Sequence, residues 1–157
     1  MDMDLTLTSS SFKTYRRHLP HWRADHVIYF VTWSIASGGD NLNEDERTAV
    51  ASALEFFNNK RYWLLAYVVR DDHVLVRVSP DYSLENVLHS WKSFTAHQFV
   101  REQRRVAPAW NQESYDRIVR DMEELDGILQ YIANNPTKRW PDRNEYPWLK
   151  ILMNSMS

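Results

Sequence analysis

The residues best able to do chemistry cluster around one expected hairpin. Tyr62 to Val69 (Tyr-Trp-Leu-Leu-Ala-Tyr-Val-Val) is apolar, β-branched and aromatic, the composition of a buried strand, and Arg70-Asp71-Asp72 then turns the chain. The next run alternates: Val74, Val76 and Val78 fall on one face, and His73, Leu75, Arg77 and Ser79 on the other. If the valines enter the core, His73 and Arg77 are displayed on the opposite face, and function is expected there. Further on, Tyr131 lies on a helix packed by Leu125, Ile128 and Ile132, with Asn135 one helical turn later on the same face. Taken alone these are ordinary residues. A single strand histidine is usually hydrogen-bonded at a surface or edge, a tyrosine of this kind is a core-rim residue, and Asn135 before Pro136 is helix-end chemistry. Asp71 and Asp72 are plain turn formers.

The elements that must position them follow from periodicity. His26 to Ala36 is a β-branched, aromatic first strand, broken by Gly38-Gly39. Asn43 with Glu46 three residues on signals a capped helix over about 43–60, with Val50, Leu54 and Phe57 inward. The hairpin follows. Ser83 opens a second helix to about Arg104, with Leu84, Val87, Leu88, Trp91 and Phe94 as its buried stripe. Trp110 to Arg120 contains a short strand. Asp121 and Glu124 cap a third helix, which Pro136 stops, and the last twenty residues pack as a tail across the surface. Strand, helix, strand, strand, helix, short strand, helix is an α+β order: a ferredoxin-like split βαβ antiparallel sheet with an additional C-terminal helix. The helices are expected on one face, leaving the other available.

Residues 1–11 read as a loose tail and 12–157 as a single domain. The chain has no cysteine, which excludes disulfides, thiolate metal sites and a cysteine nucleophile and fits a cytoplasmic location. No apolar run approaches the roughly 18 residues of a membrane span, and the N-terminus lacks a signal-peptide core. The formal charge of -2 conceals local clustering. Lys13, Arg16, Arg17, His18, His21 and Arg23 interleave with Tyr15 and Trp22, either as a solvated lead-in or as a phosphate-contacting arm with a stacking aromatic. His97, Arg101, Arg104 and Arg105 recur at about helical spacing, a pattern that is usually just a solvated face. With the arm, Lys92 and Lys138-Arg139 they would make a discontinuous basic surface for DNA. Trp22 or Trp33 could stack unpaired bases.

Several pieces together resemble the REP-associated tyrosine transposases, a branch of the single-tyrosine HUH (His-hydrophobic-His) transposases of the IS200-like superfamily. They are Arg16-Arg17-His18-Leu19-Pro20-His21-Trp22, Tyr29-Phe30-Val31-Thr32-Trp33, His73-Val74, Trp91-Lys92-Ser93-Phe94-Thr95, Arg120-Asp121 and Tyr131-Ile132-Ala133-Asn134-Asn135-Pro136, spanning Tyr15 to Trp148. Each is weak alone; their order and spacing are specific. The resemblance implies a protein that binds single-stranded DNA hairpins and cuts a strand through a tyrosine that becomes joined to the 5′ end. It makes Tyr131 the nucleophile, with Tyr115 second. It also implies a Mg²⁺ or Mn²⁺ ion held by two strand histidines and a polar residue matching Asn135.

The chain departs from that pattern where the second histidine belongs: the position is Leu75, which cannot ligate, and Arg70-Asp71-Asp72 replaces the usual Met-Pro-Asn. His73 and Asn135 remain, with Asp71 as a substitute carboxylate, or the metal is lost. Two readings follow from the resemblance, an active transposase-type enzyme and a catalytically silent hairpin-binding module. A ferredoxin-like protein-interaction domain is the third. Whether the homodimer of relatives, made by sheet pairing or helix exchange, forms here is left open.

Overall fold

The computed structural model describes residues 27–71, 73–80, 83–102, 105–143 and 145–152, with the backbone alone at 73, 75, 79 and 80. The elements are β1 (Ile28–Ile35), α1 (Glu44–Phe56), β2 (Tyr62–Val69), β3 (His73–Pro80), α2 (Leu84–Glu102), β4 (Trp110–Val119), α3 (Met122–Arg139) and β5 (Leu149–Ile151). The five strands form one sheet in the order β4-β1-β3-β2-β5, and every pairing is antiparallel. The expected split βαβ, α+β arrangement is therefore the observed one.

Local chemistry fixes the helices. Asn43 accepts the Glu46 amide at 2.8 Å while the Glu46 carboxylate accepts the Asn43 amide at 2.9 Å, a reciprocal cap that starts α1. Gly38 takes φ +81° in the turn before it, a conformation open to glycine at little cost. Ser83 caps α2 through the Asn86 amide, and Asp121 caps α3 through the Glu124 amide.

Packing overturns one expectation. The helices do not share a face. Val31, Trp33, Val74, Val76 and Val78 meet Val50, Leu54, Val87, Trp91 and Phe99 of α1 and α2 on one side. Leu125, Ile128, Leu129 and Ile132 of α3 pack on Ile28, Trp63, Leu65, Ala66 and Val68 on the other. All eight residues of β2 are buried, so its unbroken apolar run marks a strand covered on both sides. A register shift between Leu64 and Ala66 lets Tyr62 and Leu64 share a face with Tyr67 and Val69.

Four smaller corrections have clear causes. Pro136 does not stop α3; the helix continues to Arg139, and the Trp140 amide closes the last turn on the Pro136 carbonyl at 2.7 Å. The short strand is ten residues long, because β4 follows β1 along nearly its whole length. Phe94 is exposed, its place in the α2 stripe taken by Thr95 and Phe99. The C-terminal segment does not merely cross the surface: β5 adds an edge strand to β2.

Candidate active site

Tyr131 is set by the stripe that anchors α3. With Ile128, Leu129 and Ile132 buried against the sheet, position 131 falls at the helix flank. Its ring meets Phe30 of β1 edge-on, 6.3 Å between centroids at 89°, and Lys138 holds its ammonium 5.7 Å from the ring centre. The side chain is 43% exposed, packed enough to be oriented and open enough to be reached.

Two contacts locate α3, which packs chiefly over β2 and β5. Phe30, which touches Tyr131, pairs in register with Arg77, a fully buried residue that also pairs with Ala66 on the α3 side of the sheet. At the other end of α3, Arg139 grips Asp71 through Nη2–Oδ2 at 2.6 Å and Nε–Oδ1 at 3.4 Å. The helix thus carries Tyr131 beside Phe30 of β1 and Arg139 at the β2–β3 turn. Asn135, between them in the helix, is 3% exposed, and its Oδ1 accepts no hydrogen bond among the described residues. In the strand register His73 is opposite Ser34, and position 75 is opposite Thr32 and Val68.

The Asn135 oxygen suits a hard divalent cation, but the remaining donors do not complete a site. Position 75 is leucine. The Asp71 carboxylate is engaged by Arg139 and by Asn41 Nδ2 at 3.3 Å. Burial opposes its charge, yet the Arg139 hydrogen bond and charge hold its carboxyl below the usual aspartate range. Among the described residues no group of three or more histidine, cysteine or acidic side chains is placed to hold a metal. The described residues therefore do not complete a site for the divalent ion that the resemblance implies.

The basic residues have separate fates. Lys13, Arg16, Arg17, Trp22, Arg23 and Arg104 lie outside the described residues. Lys92 donates to the Asn111 and Gln112 carbonyls at 2.9 and 3.4 Å, tying α2 to β4, and burial pushes its pKa down. Arg105 forks onto Glu46, 2.7 Å from each oxygen, and so braces the α1 cap. Arg101 is exposed beside Glu102, and Lys138 stays at Tyr131. Trp33 cannot stack a base: it is 3% exposed, stacked on Trp91 and edge-on to Trp110. Tyr115 is 79% exposed on β4, across the register from Thr32. Arg139 and Phe30 are the residues that sequence reasoning misplaced or missed. Arg139 reads as one more surface cation, because its acid lies 68 positions away.

Residues 24–135 match the family described as "Transposase IS200 like". The chain belongs to the IS200-like transposase family. Among solved structures, that of a REP-associated tyrosine transposase bound to a REP hairpin superposes with a TM-score of 0.67 at 15% identity, over 79% of this chain and 76% of that one. A putative transposase from Deinococcus radiodurans R1 gives a TM-score of 0.48 at 17% identity, over 69% of this chain and 90% of that one. No curated protein is detectably similar. This IS200-like chain has the transposase fold, with a five-stranded antiparallel sheet and three helices among the described residues, and no described helix is long and apolar enough to cross a membrane.

Proposed function

We propose that this IS200-like protein binds a single-stranded DNA hairpin and that Tyr131 is its strand-cleaving nucleophile. The observation that carries the reading is the placement of Tyr131: half-exposed on the flank of a helix packed over β2 and β5, beside Phe30 of β1, with a cation two turns on. The family membership and the hairpin complex of the structural relative support the choice of DNA. In the reaction the Tyr131 oxygen bonds to phosphorus and the P–O3′ bond breaks. The phenol proton leaves to solvent, and the 3′ oxygen takes one up. DNA is left joined to the protein as a 5′-phosphotyrosine. Lys138 lies where it would meet the negative charge of the bound phosphate.

A second reading, binding without cleavage, is favoured by Leu75 and by the engagement of Asp71 with Arg139, which leave the metal donors incomplete. One experiment separates the two. The protein and its Tyr131→Phe variant are incubated with a labelled hairpin strand, with and without Mn²⁺, and followed by gel shift and denaturing gel. The first reading predicts a denaturation-resistant adduct that Tyr131→Phe abolishes while hairpin binding persists. Binding with no adduct in either protein establishes the second. No preference for the hairpin over an unstructured strand contradicts both.

A further inference from the structure

We propose that Arg139 is a positioning residue: its fork onto Asp71 clasps the C-terminal end of α3 to the β2–β3 turn and so fixes Tyr131 and Asn135 relative to the start of β3. The inference rests on the reading of Tyr131 as nucleophile but names a residue and a role that reading does not need.

Three independent groups of contacts converge on this turn. Asp71 ties in the segment before α1, since its carbonyl accepts the Leu42 amide at 2.6 Å and its carboxylate accepts Asn41 Nδ2. The C-terminal strap ties in the end of β2. The Tyr146 hydroxyl donates to the Val69 carbonyl at 2.5 Å, and the Val69 amide donates to the Trp148 carbonyl at 2.9 Å. The third is Arg139, whose guanidinium also lies 5.4 Å from the Trp140 ring, itself stacked on Tyr146. Asp71 is nearly buried, whereas Arg139 is partly open. The acid is therefore the fixed member, and the arginine brings the helix to it.

The apolar stripe of α3 packs on β1, β2 and β5 and resists lifting of the helix, and the Arg117–Glu124 pair at 2.8 Å ties its first turn to β4. Arg139–Asp71 is the directional, charge-assisted tie at the opposite end, one turn beyond Asn135. Misplacement of a nucleophile by about 1 Å can cost on the order of a hundredfold in rate.

The test uses the full chain with Arg139→Gln and Arg139→Lys. Adduct formation is measured at saturating hairpin, and hairpin Kd separately. A positioning role predicts that Arg139→Gln lowers the saturated rate by about tenfold or more with Kd little changed, and that Arg139→Lys recovers much of the loss. Equal rates in Arg139→Gln and parent overturn the proposal, as does a parallel fall in rate and affinity or a Lys variant no better than Gln. If the parent forms no adduct, the cleavage reading has failed on its own account. The clasp is then judged by hydrogen exchange. Faster exchange at the Leu42 and Trp140 amides in Arg139→Gln, with Leu125 unchanged, upholds it; unchanged exchange at both overturns it.

Discussion

At the scale of single residues, Leu75 and Asp71 decide more than any other pair. Strand alternation made position 75 the natural partner of His73, and a leucine there supplies packing without a lone pair. Asp71 looked like a replacement donor because it stands two positions before His73. Its engagement with Arg139 was not legible, because an ion pair across 68 residues leaves no local pattern. By contrast the one-turn separation of Tyr131 and Asn135 on α3 was legible from helical spacing, while their candidacy came only from the family resemblance. The buried Oδ1 of Asn135 has no hydrogen-bond partner among the described residues. Leu75→His is accordingly expected to raise Mn²⁺ affinity roughly tenfold or more, as read by Mn²⁺ paramagnetic resonance. No gain would mean that residues 75 and 135 do not face a common point.

At the scale of elements, the sequence conveyed what depends on neighbours in the chain and lost what depends on the far side of the sheet. The caps at Asn43, Ser83 and Asp121 and the valine alternation of β3 were readable. The covering of the second face by α3 was not, although the fully apolar run of β2 carried the signal. On the opposite face, packing against Trp91 of α2 and Trp110 removes Trp33 from any role in stacking bases. The C-terminal strap was read as a surface tail because its three-residue strand is too short for periodicity to register. Its hold on the fold depends on Tyr146, whose hydroxyl, buried against Val69, is pushed up to about 12. A raised phenol pKa contributes stability that is complete below its unfolded value, about 10, and is lost as pH rises through the folded one. Tyr146→Phe should therefore cost about 1 kcal/mol at neutral pH. Its deficit in urea unfolding should shrink between about pH 10 and 12; a deficit independent of pH there would place the loss in packing instead.

At the scale of the whole molecule, a net charge of -2 means that the proposed DNA partner would be met by a local surface, not by a general field. The cations tied into the fold show how little a count of lysines and arginines says about such a surface. Lys92, Arg105 and Arg139 hold α2 to β4, the α1 cap and the α3 end respectively. What the fold contributes is a helix that carries Tyr131 half-exposed on its flank, on the side of the sheet that α1 and α2 leave to α3. The most direct measurement is mass spectrometry of the tryptic peptides after reaction with a hairpin strand. Cleavage after Arg120 and Lys138 isolates Tyr131 in the peptide 121–138, and cleavage after Arg105 and Arg117 isolates Tyr115 in 106–117. The account predicts a nucleotide phosphate on the first peptide, at Tyr131; a nucleotide on the second, or on neither while the hairpin strand is cut, would contradict it.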